Sequence, residues 1–275
     1  MPAAGAFGYG EEYRDLVDTA ALGAVVTNPV SLYPRQAANG RRIAAHGQHL
    51  VVHTGLPNHG LKGVLHHYRK LWERLPIPVI VHLIATTPAE MTKAAALLSG
   101  VQGVGGIELG LAENIHEKAA LDLLDAARAE GDLPVIVRVP FSRVDALAPA
   151  LANAGADALT LTAPPRAVLP VPDDALAGDA PPGDASPSVA RYMRGRLYSA
   201  ALFPLLLNFL ARWADKLSVP VIACGGIAST EDALACISLG AAAVQIDALL
   251  WRDPALLTRI ATEVMQEVGK SEIRE

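Results

Sequence analysis

The chain has 275 residues, of which 51% are hydrophobic, and this is enough to bury the core of one barrel domain of roughly 250 residues. Its formal net charge of -5 excludes the broad basic surface that is typical of nucleic-acid-binding proteins. The N-terminal residues do not resemble a signal peptide, and the most apolar stretch is interrupted by polar residues. We therefore expect a cytoplasmic protein without a nucleic-acid or membrane partner.

The elements predicted along the chain repeat one pattern. A helix-like stretch at 11–22 precedes a short strand at 23–30, and only "MPAAG" stands before them as a possible first strand. Three later segments, which begin at Ile77, Leu133 and Val219, each combine a Pro-Val-Ile run, a turn, a helix-like stretch and a second apolar run. Such units form parallel sheets with helical crossovers. The sequence predicts a single (β/α)8 TIM barrel over residues 1–275 with an abbreviated first strand, and the alternative is a doubly wound open sheet.

Two long connections interrupt this pattern, at residues 31–60 and 164–195. The second contains 7 prolines between positions 164 and 187, and its Pro, Ala, Gly and Asp residues do not favour a packed core. Both connections follow strands, on the face of a barrel where catalytic residues lie. We expect long catalytic-face loops, and the second is interpreted either as a mobile lid or as a surface insertion.

Several motifs occur in the order seen in a known family. "FGYGEEY", "GLPN", "CGGIASTEDAL" and "LGAAAVQI" resemble those of class 1 dihydroorotate dehydrogenases, from about Ala3 to Pro254. The resemblance implies a flavoprotein oxidoreductase: an FMN-binding (β/α)8 barrel, usually a homodimer. In this family a Cys or Ser base and the flavin together oxidise dihydroorotate to orotate.

The substrate side of the resemblance is altered. Where the family has a Thr-Lys pair this chain has Thr27-Asn28, and a family Asn is replaced by His82. The segment that carries the family's catalytic base reads Glu108 to Ile115 and contains no Cys or Ser. The family's Lys on the "VIVK" strand is Arg138. These replacements predict a degenerate active site that does not oxidise dihydroorotate.

The phosphate side keeps one half of the family's pattern. Six positions correspond to the cofactor site: Gly195, Arg196, Gly225, Gly226, Ile227 and Asp247. Asp247 stands where the family has Gly in a Gly-Thr pair, and a carboxylate repels a phosphate. We expect an Arg196–Asp247 pair to fill the place of the phosphate and to impair FMN binding. In the alternative, Asp247 turns to solvent and FMN still binds.

The remaining polar strand-end residues are candidates for new chemistry. We expect His82 to act as an acid or base, Arg138 as a carboxylate clamp, and Glu113 or Glu108 as a further catalytic carboxylate. The candidate substrate-binding residues are Asn28, Asn58 and Thr160, with Thr162 as the alternative to Thr160. The histidine spacing matches no metal site, so no metal is expected.

Three functions stay open from the sequence. The first is a divergent family member, by descent a flavin-dependent oxidoreductase, that binds a small anionic or polar ligand. The second is a cofactor-free binding or scaffold barrel. The third is a flavin-free lyase or isomerase that uses His82 and Arg138.

Overall fold

A computed structural model describes residues 1–171 and 192–272 of the chain. The strands are β1 (Val25–Val26), β2 (Ile43–His46), β3 (His49–Val52), β4 (Val79–Ile84), β5 (Val104–Gly110), β6 (Val135–Pro140), β7 (Ala158–Ala163), β8 (Arg166–Pro170), β9 (Tyr192–Tyr198), β10 (Val221–Cys224) and β11 (Ala243–Gln245). The α-helices are α1 (Gly60–Trp72), α2 (Pro88–Leu98), α3 (Glu117–Arg128), α4 (Val144–Asn153), α5 (Phe203–Trp213), α6 (Thr230–Ser238) and α7 (Ala255–Glu272).

Seven strands form a parallel sheet in the order β1-β4-β5-β6-β7-β10-β11. Val26, Ile80, Ile136 and Ile222 lie on strands that are not all neighbours, yet they form one buried apolar cluster. Since these side chains meet, the sheet must curl and enclose them on its concave side. The buried Pro-Val-Ile runs thus form parallel strands, as the sequence predicts.

The first residues of the chain pair with the last strand of this sheet. The Ala3 amide donates to the Ile246 carbonyl at 2.8 Å, and the Ile246 amide donates to the Met1 carbonyl at 3.0 Å. This parallel bridge is in the place where the sequence predicts an abbreviated first strand. Closure of all strands into a full (β/α)8 barrel stays a prediction.

Successive side chains of the parallel strands point alternately to the interior and to the helices. On β4, Val79, Val81 and Leu83 pack in the large outer core with the helices, whereas His82 points inward. On β4, the inward-pointing His82 is therefore polar, while the outward-pointing residues on either side of it pack against the helices. Within the described ranges, no helix is long and apolar enough to cross a membrane.

Both long connections contribute strands, so describing them as loops was wrong in part. β2 and β3 from the first and β8 and β9 from the second form an antiparallel sheet in the order β2-β3-β9-β8. One face of this sheet packs around Ala44, Val51 and Met193. Residues 172–191 lie outside the described residues, and the expectation of a mobile lid stays a prediction.

The helix expected at 11–22 was also wrong, because side chains bind the backbone there. The Glu12 carboxylate accepts hydrogen bonds from the amides of Tyr9 at 2.8 Å and Glu11 at 3.1 Å. Asp18 caps a 3-10 helix that covers only Thr19–Ala21. Such local side-chain bonds compete with α-helix formation.

Candidate functional site

A cavity of about 1570 Å³ opens at the carboxyl ends of the parallel strands and is covered on one side by the antiparallel sheet. Six of the predicted site residues line it: Asn28, His82, Glu113, Arg138, Gly195 and Arg196. The other six are not among its lining residues: Asn58, Thr160, Gly225, Gly226, Ile227 and Asp247. The cavity is larger than the range of roughly 300–1,000 Å³ that is usual for ligand pockets, so its volume alone would admit a flavin.

Beneath the cavity, Glu108 is the centre of a buried polar network. Its Oε1 accepts hydrogen bonds from Thr160 Oγ1 at 2.9 Å and from Gln245 Nε2 at 2.7 Å. Its Oε2 lies 2.6 Å from His82 Nδ1 and 3.7 Å from Arg138 Nη1. The side chain of Glu108 is 0% exposed, so these groups replace water completely.

Glu108 stays ionised in this network. Burial alone would raise the pKa of its carboxyl, but the hydrogen bond from His82 and the charge of Arg138 outweigh burial and lower the pKa to about 2. An ionised carboxylate can only accept hydrogen bonds, so Nδ1 of His82 must carry a proton. The carboxylate therefore fixes the orientation of the imidazole and leaves Nε2 as its second functional atom.

Gly110 makes room for the His82 ring. A Cβ atom at Gly110 would lie 2.4 Å from His82 Nε2, which is far inside van der Waals contact. His82 lines the cavity and is only 5% exposed. The glycine next to the ring on β5 is thus a requirement for this histidine position.

Arg138 is held by groups of the barrel interior. Its Nη1 donates to Gln245 Oε1 at 3.3 Å and its Nη2 contacts Cys224 Sγ at 3.1 Å. Burial would lower the pKa of this guanidinium, but the negative charge of Glu108 opposes burial and the pKa is raised, so Arg138 stays charged. Burial raises the pKa of the Cys224 thiol to about 12, which keeps the thiol protonated. Arg138 borders the cavity, and its Nη1 also lies 3.7 Å from the Glu108 carboxylate.

Arg196 pairs with Glu113, which corrects the expectation of an Arg196–Asp247 pair. Arg196 Nη1 contacts a Glu113 carboxylate oxygen and donates to the Pro164 carbonyl at 2.8 Å. The other oxygen of Glu113 accepts from Ser142 Oγ at 2.6 Å. Arg196, on β9, and Glu113 both line the cavity, whereas Asp247 does not. Glu113 is therefore the carboxylate within reach of Arg196.

Asp247 instead fills the glycine turn by itself. Its Oδ2 accepts a long hydrogen bond of 3.4 Å from the Gly226 amide, and its Oδ1 accepts from the Leu249 amide at 3.1 Å. The residue is 1% exposed, so the alternative in which it turns to solvent is wrong. Burial raises the pKa of this carboxyl, opposed by the two amide hydrogen bonds and by Arg138.

The helix after this turn, α6, has a capping box at its first turn. Ser229 Oγ accepts from the Asp232 amide, and the Asp232 carboxylate accepts from the amides of Ala228 at 2.9 Å and Ser229 at 3.1 Å. These bonds occupy three amides near the start of α6 that could otherwise donate to an anion.

The three predicted substrate-binding residues have different surroundings. Asn28 lines the cavity, while its Oδ1 accepts from the Gly8 amide at 3.1 Å. Asn58 holds its own turn, because its Oδ1 accepts from the Gly60 amide at 2.9 Å. Thr160 is 0% exposed and is a partner of Glu108. The structure brings only Asn28 to the cavity.

Known proteins resemble this chain along almost its whole length. A sequence profile of the dihydroorotate dehydrogenase family matches residues 1–115 and 184–268. The catalytic subunit of dihydroorotate dehydrogenase B (NAD(+)) from Citrifermentans bemidjiense is 30% identical over 278 residues, which cover 97% of this chain and 88% of that protein. The subunit of the same name from Geobacter sp. strain M21 is 30% identical over 285 residues, covering 99% and 90%.

This chain belongs to the dihydroorotate dehydrogenase family. Its membership confirms the resemblance drawn from the sequence motifs. Within this family member, the described residues contain no group of three or more His, Cys, Asp or Glu side chains that could hold a metal ion. The features of this family member that bear on function are therefore the Glu108 network, the buried Asp247 and the cavity above them.

Sequence reasoning missed the importance of Glu108 and did not find Gln245 at all. The alternation of side chains along the strands could have identified both residues, because Glu108 on β5 and Gln245 on β11 occupy inward positions. Two inward polar residues in apolar strands require each other as partners.

The position of Asp247 could also have been recognised from the sequence, because Asp is a common N-cap residue before a short helix. In the structure Asp247 caps the 3-10 helix Ala248–Trp251.

Proposed function

We propose that this member of the dihydroorotate dehydrogenase family binds a small anionic ligand in its cavity without FMN and does not oxidise dihydroorotate. The position of the Asp247 carboxylate carries this proposal. Asp247 accepts from the Gly226 amide, at the turn where the family resemblance places the flavin phosphate. Asp247, Gly225, Gly226 and Ile227 are all buried, and none of them is among the residues that line the cavity.

A phosphate at this turn would meet an unfavourable charge whenever Asp247 is ionised, whereas burial, which raises the pKa of Asp247, favours its neutral form. Two like unit charges about 5 Å apart repel by about 3 kcal/mol at an effective dielectric constant near 20, and a phosphate dianion carries more than one. Displacement of Asp247 would also remove its hydrogen bond from the Leu249 amide. The residues of this turn therefore do not fit the flavin phosphate.

The substrate side supports the same proposal. Residues Glu108 to Ile115, which correspond to the family's base-bearing segment, contain neither Cys nor Ser. The Lys of the family's Thr-Lys pair is Asn28, whose side-chain oxygen is already bonded to the Gly8 amide. Oxidation of a carbon by a flavin needs a base for the proton, and this segment lacks the Cys or Ser base that the family resemblance places there.

The test is retention of FMN by the purified chain. The chain is incubated with excess FMN and desalted, and its visible flavin absorption and its dihydroorotate oxidation with NAD+ are measured. The relative from Citrifermentans bemidjiense serves as the positive control. We expect a colourless, inactive protein, and Asp247→Gly should retain more FMN than the original chain. A yellow protein that oxidises dihydroorotate would refute the proposal.

The His82–Glu108 contact favours a second candidate function, flavin-free isomerase or lyase chemistry. Glu108 fixes His82 at 2.6 Å, and His82 lines the cavity. Nε2 would accept a proton from a carbon next to a carboxylate, leaving the electron pair on that carbon. Return of the proton would give an isomer. Alternatively, that electron pair would form a C=C bond while a leaving group departs from the neighbouring carbon with its own bonding pair, which gives an alkene. Arg138, expected as a partner in this chemistry, is held by Glu108 and Gln245 instead.

Deuterium exchange tests this second candidate. Small carboxylates such as malate and succinate are incubated with the chain in D2O, and loss of their C–H signals is followed by proton NMR. We expect exchange that His82→Gln abolishes. Absence of exchange with all of them would favour the cofactor-free binding or scaffold barrel.

Three further expectations from the sequence also stay predictions: a single domain over residues 1–275, a homodimer and a cytoplasmic location.

A further inference from the structure

The antiparallel sheet presents arginines to the cavity. In the register of β8 and β9, Arg166 lies opposite Arg196, and Val168 lies opposite Arg194. All of these side chains line the cavity. The alternate residues Ala167, Leu169 and Leu197 belong to an apolar cluster and are not among the residues that line the cavity. The alternation of β9 therefore places Arg194 and Arg196 on the same side.

The three positive charges of this face are only partly neutralised. Like charges directly opposite each other on neighbouring strands destabilise a sheet. Arg196 has Glu113 as a counterion. Among the residues that the structure describes, the side chains of Arg166 and Arg194 have no hydrogen-bond or ion-pair partner. The face thus carries two unbalanced positive charges inside a cavity, in a protein whose formal net charge is -5.

Arg166 and Arg194 are placed to bind one group together. Arg166 lies opposite Arg196, and Arg194 is two residues before Arg196 on the same strand, so Arg166 and Arg194 are diagonal neighbours. Such neighbours lie about 7–8 Å apart, within reach of long side chains. Guanidinium groups bind phosphate and carboxylate oxygens through paired N–H donors.

We propose that Arg166 and Arg194 form a binding site for a dianionic group of a small molecule, a phosphate or a dicarboxylate. The site rests on the proposed function, in which the cavity accepts an anionic ligand, and it names the class of that ligand. It is separate from the glycine turn that Asp247 fills. Val168 is 48% exposed and Tyr192 57% exposed on the same face, and they offer apolar contacts to the rest of the ligand.

The test is a calorimetric titration of the full chain with inorganic phosphate and, separately, with succinate. We expect one of them to bind with a Kd of about 1 mM or below, and added KCl should weaken it, because exposed charges are screened. Arg166→Ala and Arg194→Ala should each weaken binding about fivefold to tenfold, and Arg194→Lys less, since lysine keeps the charge but loses the paired donors. Preference for phosphate or for succinate identifies the anion.

Arg69→Ala is the matched control, because Arg69 is an exposed arginine of α1 that does not line the cavity. It should leave the affinity unchanged. Both residues of the site are exposed, so their variants should unfold at the same temperature as the original chain. The proposal is overturned if neither anion binds, or if Arg69→Ala weakens binding as much as the site variants. Flavin retention with an intact arginine site would instead refute the proposed function alone.

Discussion

Replacement of Glu108 by Gln removes the negative charge at the centre of the interior network and keeps the size of the side chain. In the folded chain the pKa of Glu108 is lowered from 4.5 to about 2. At about 1.4 kcal/mol per pKa unit this shift corresponds to about 3 kcal/mol. The same magnitude is typical for removal of one partner from a buried ion pair. Glu108→Gln should therefore lower the free energy of unfolding by about 3 kcal/mol at pH 7.

The pH dependence gives the sharper test of this reasoning. A carboxyl whose pKa is depressed by folding stabilises the protein above its unfolded pKa, near 4.5, and this contribution is lost as the pH falls toward 2. Urea unfolding of both proteins between pH 7 and pH 3 should show the difference in unfolding free energy becoming smaller with acid. Glu130→Gln, at an exposed position, should change the unfolding free energy by less than about 0.5 kcal/mol. A Glu108→Gln difference that is constant across this range would refute the role assigned to the charge.

Three further changes test the packing around the site. Gly110→Ala should destabilise the chain by about 1–3 kcal/mol and move the His82 ring, observable as a changed imidazole NMR signal, because a Cβ would lie 2.4 Å from Nε2. Gly226→Ala should cost at least as much in thermal unfolding, because Gly226 has a φ of +75° and its Cβ would lie 2.5 Å from the Phe203 amide nitrogen. Ser229→Ala should lower the free energy of unfolding by about 1 kcal/mol through loss of the capping box of α6, and an unchanged midpoint in urea would contradict this.

The parallel sheet could be predicted from the sequence because its strands are short apolar runs between turn residues. Val79 to Leu83 is buried on both faces, and such a run has few alternatives. The antiparallel sheet could not be predicted in the same way. β8 alternates exposed and half-buried residues, and its partner β9 follows only after residues 172–191, so its pairing is a property of tertiary structure.

The sequence predicted which of these residues lie at the candidate site, but it did not predict which residues they contact. His82 and Arg138 were found because they are polar residues in the second half of apolar strands, and both line the cavity. Which carboxylate each one meets depends on register across the sheet: β4 places His82 beside Glu108, so the choice between Glu108 and Glu113 could not be made from the sequence. Arg196 likewise met Glu113 rather than Asp247 through the position of β9.

The most direct test of the account is a calorimetric titration of the chain with FMN, repeated with Asp247→Gly. The buried carboxylate at the Gly226 amide predicts no saturable binding by the original chain and a measurable gain in the variant. Tight binding of FMN by the original chain, unchanged when Asp247 is replaced, would contradict the account.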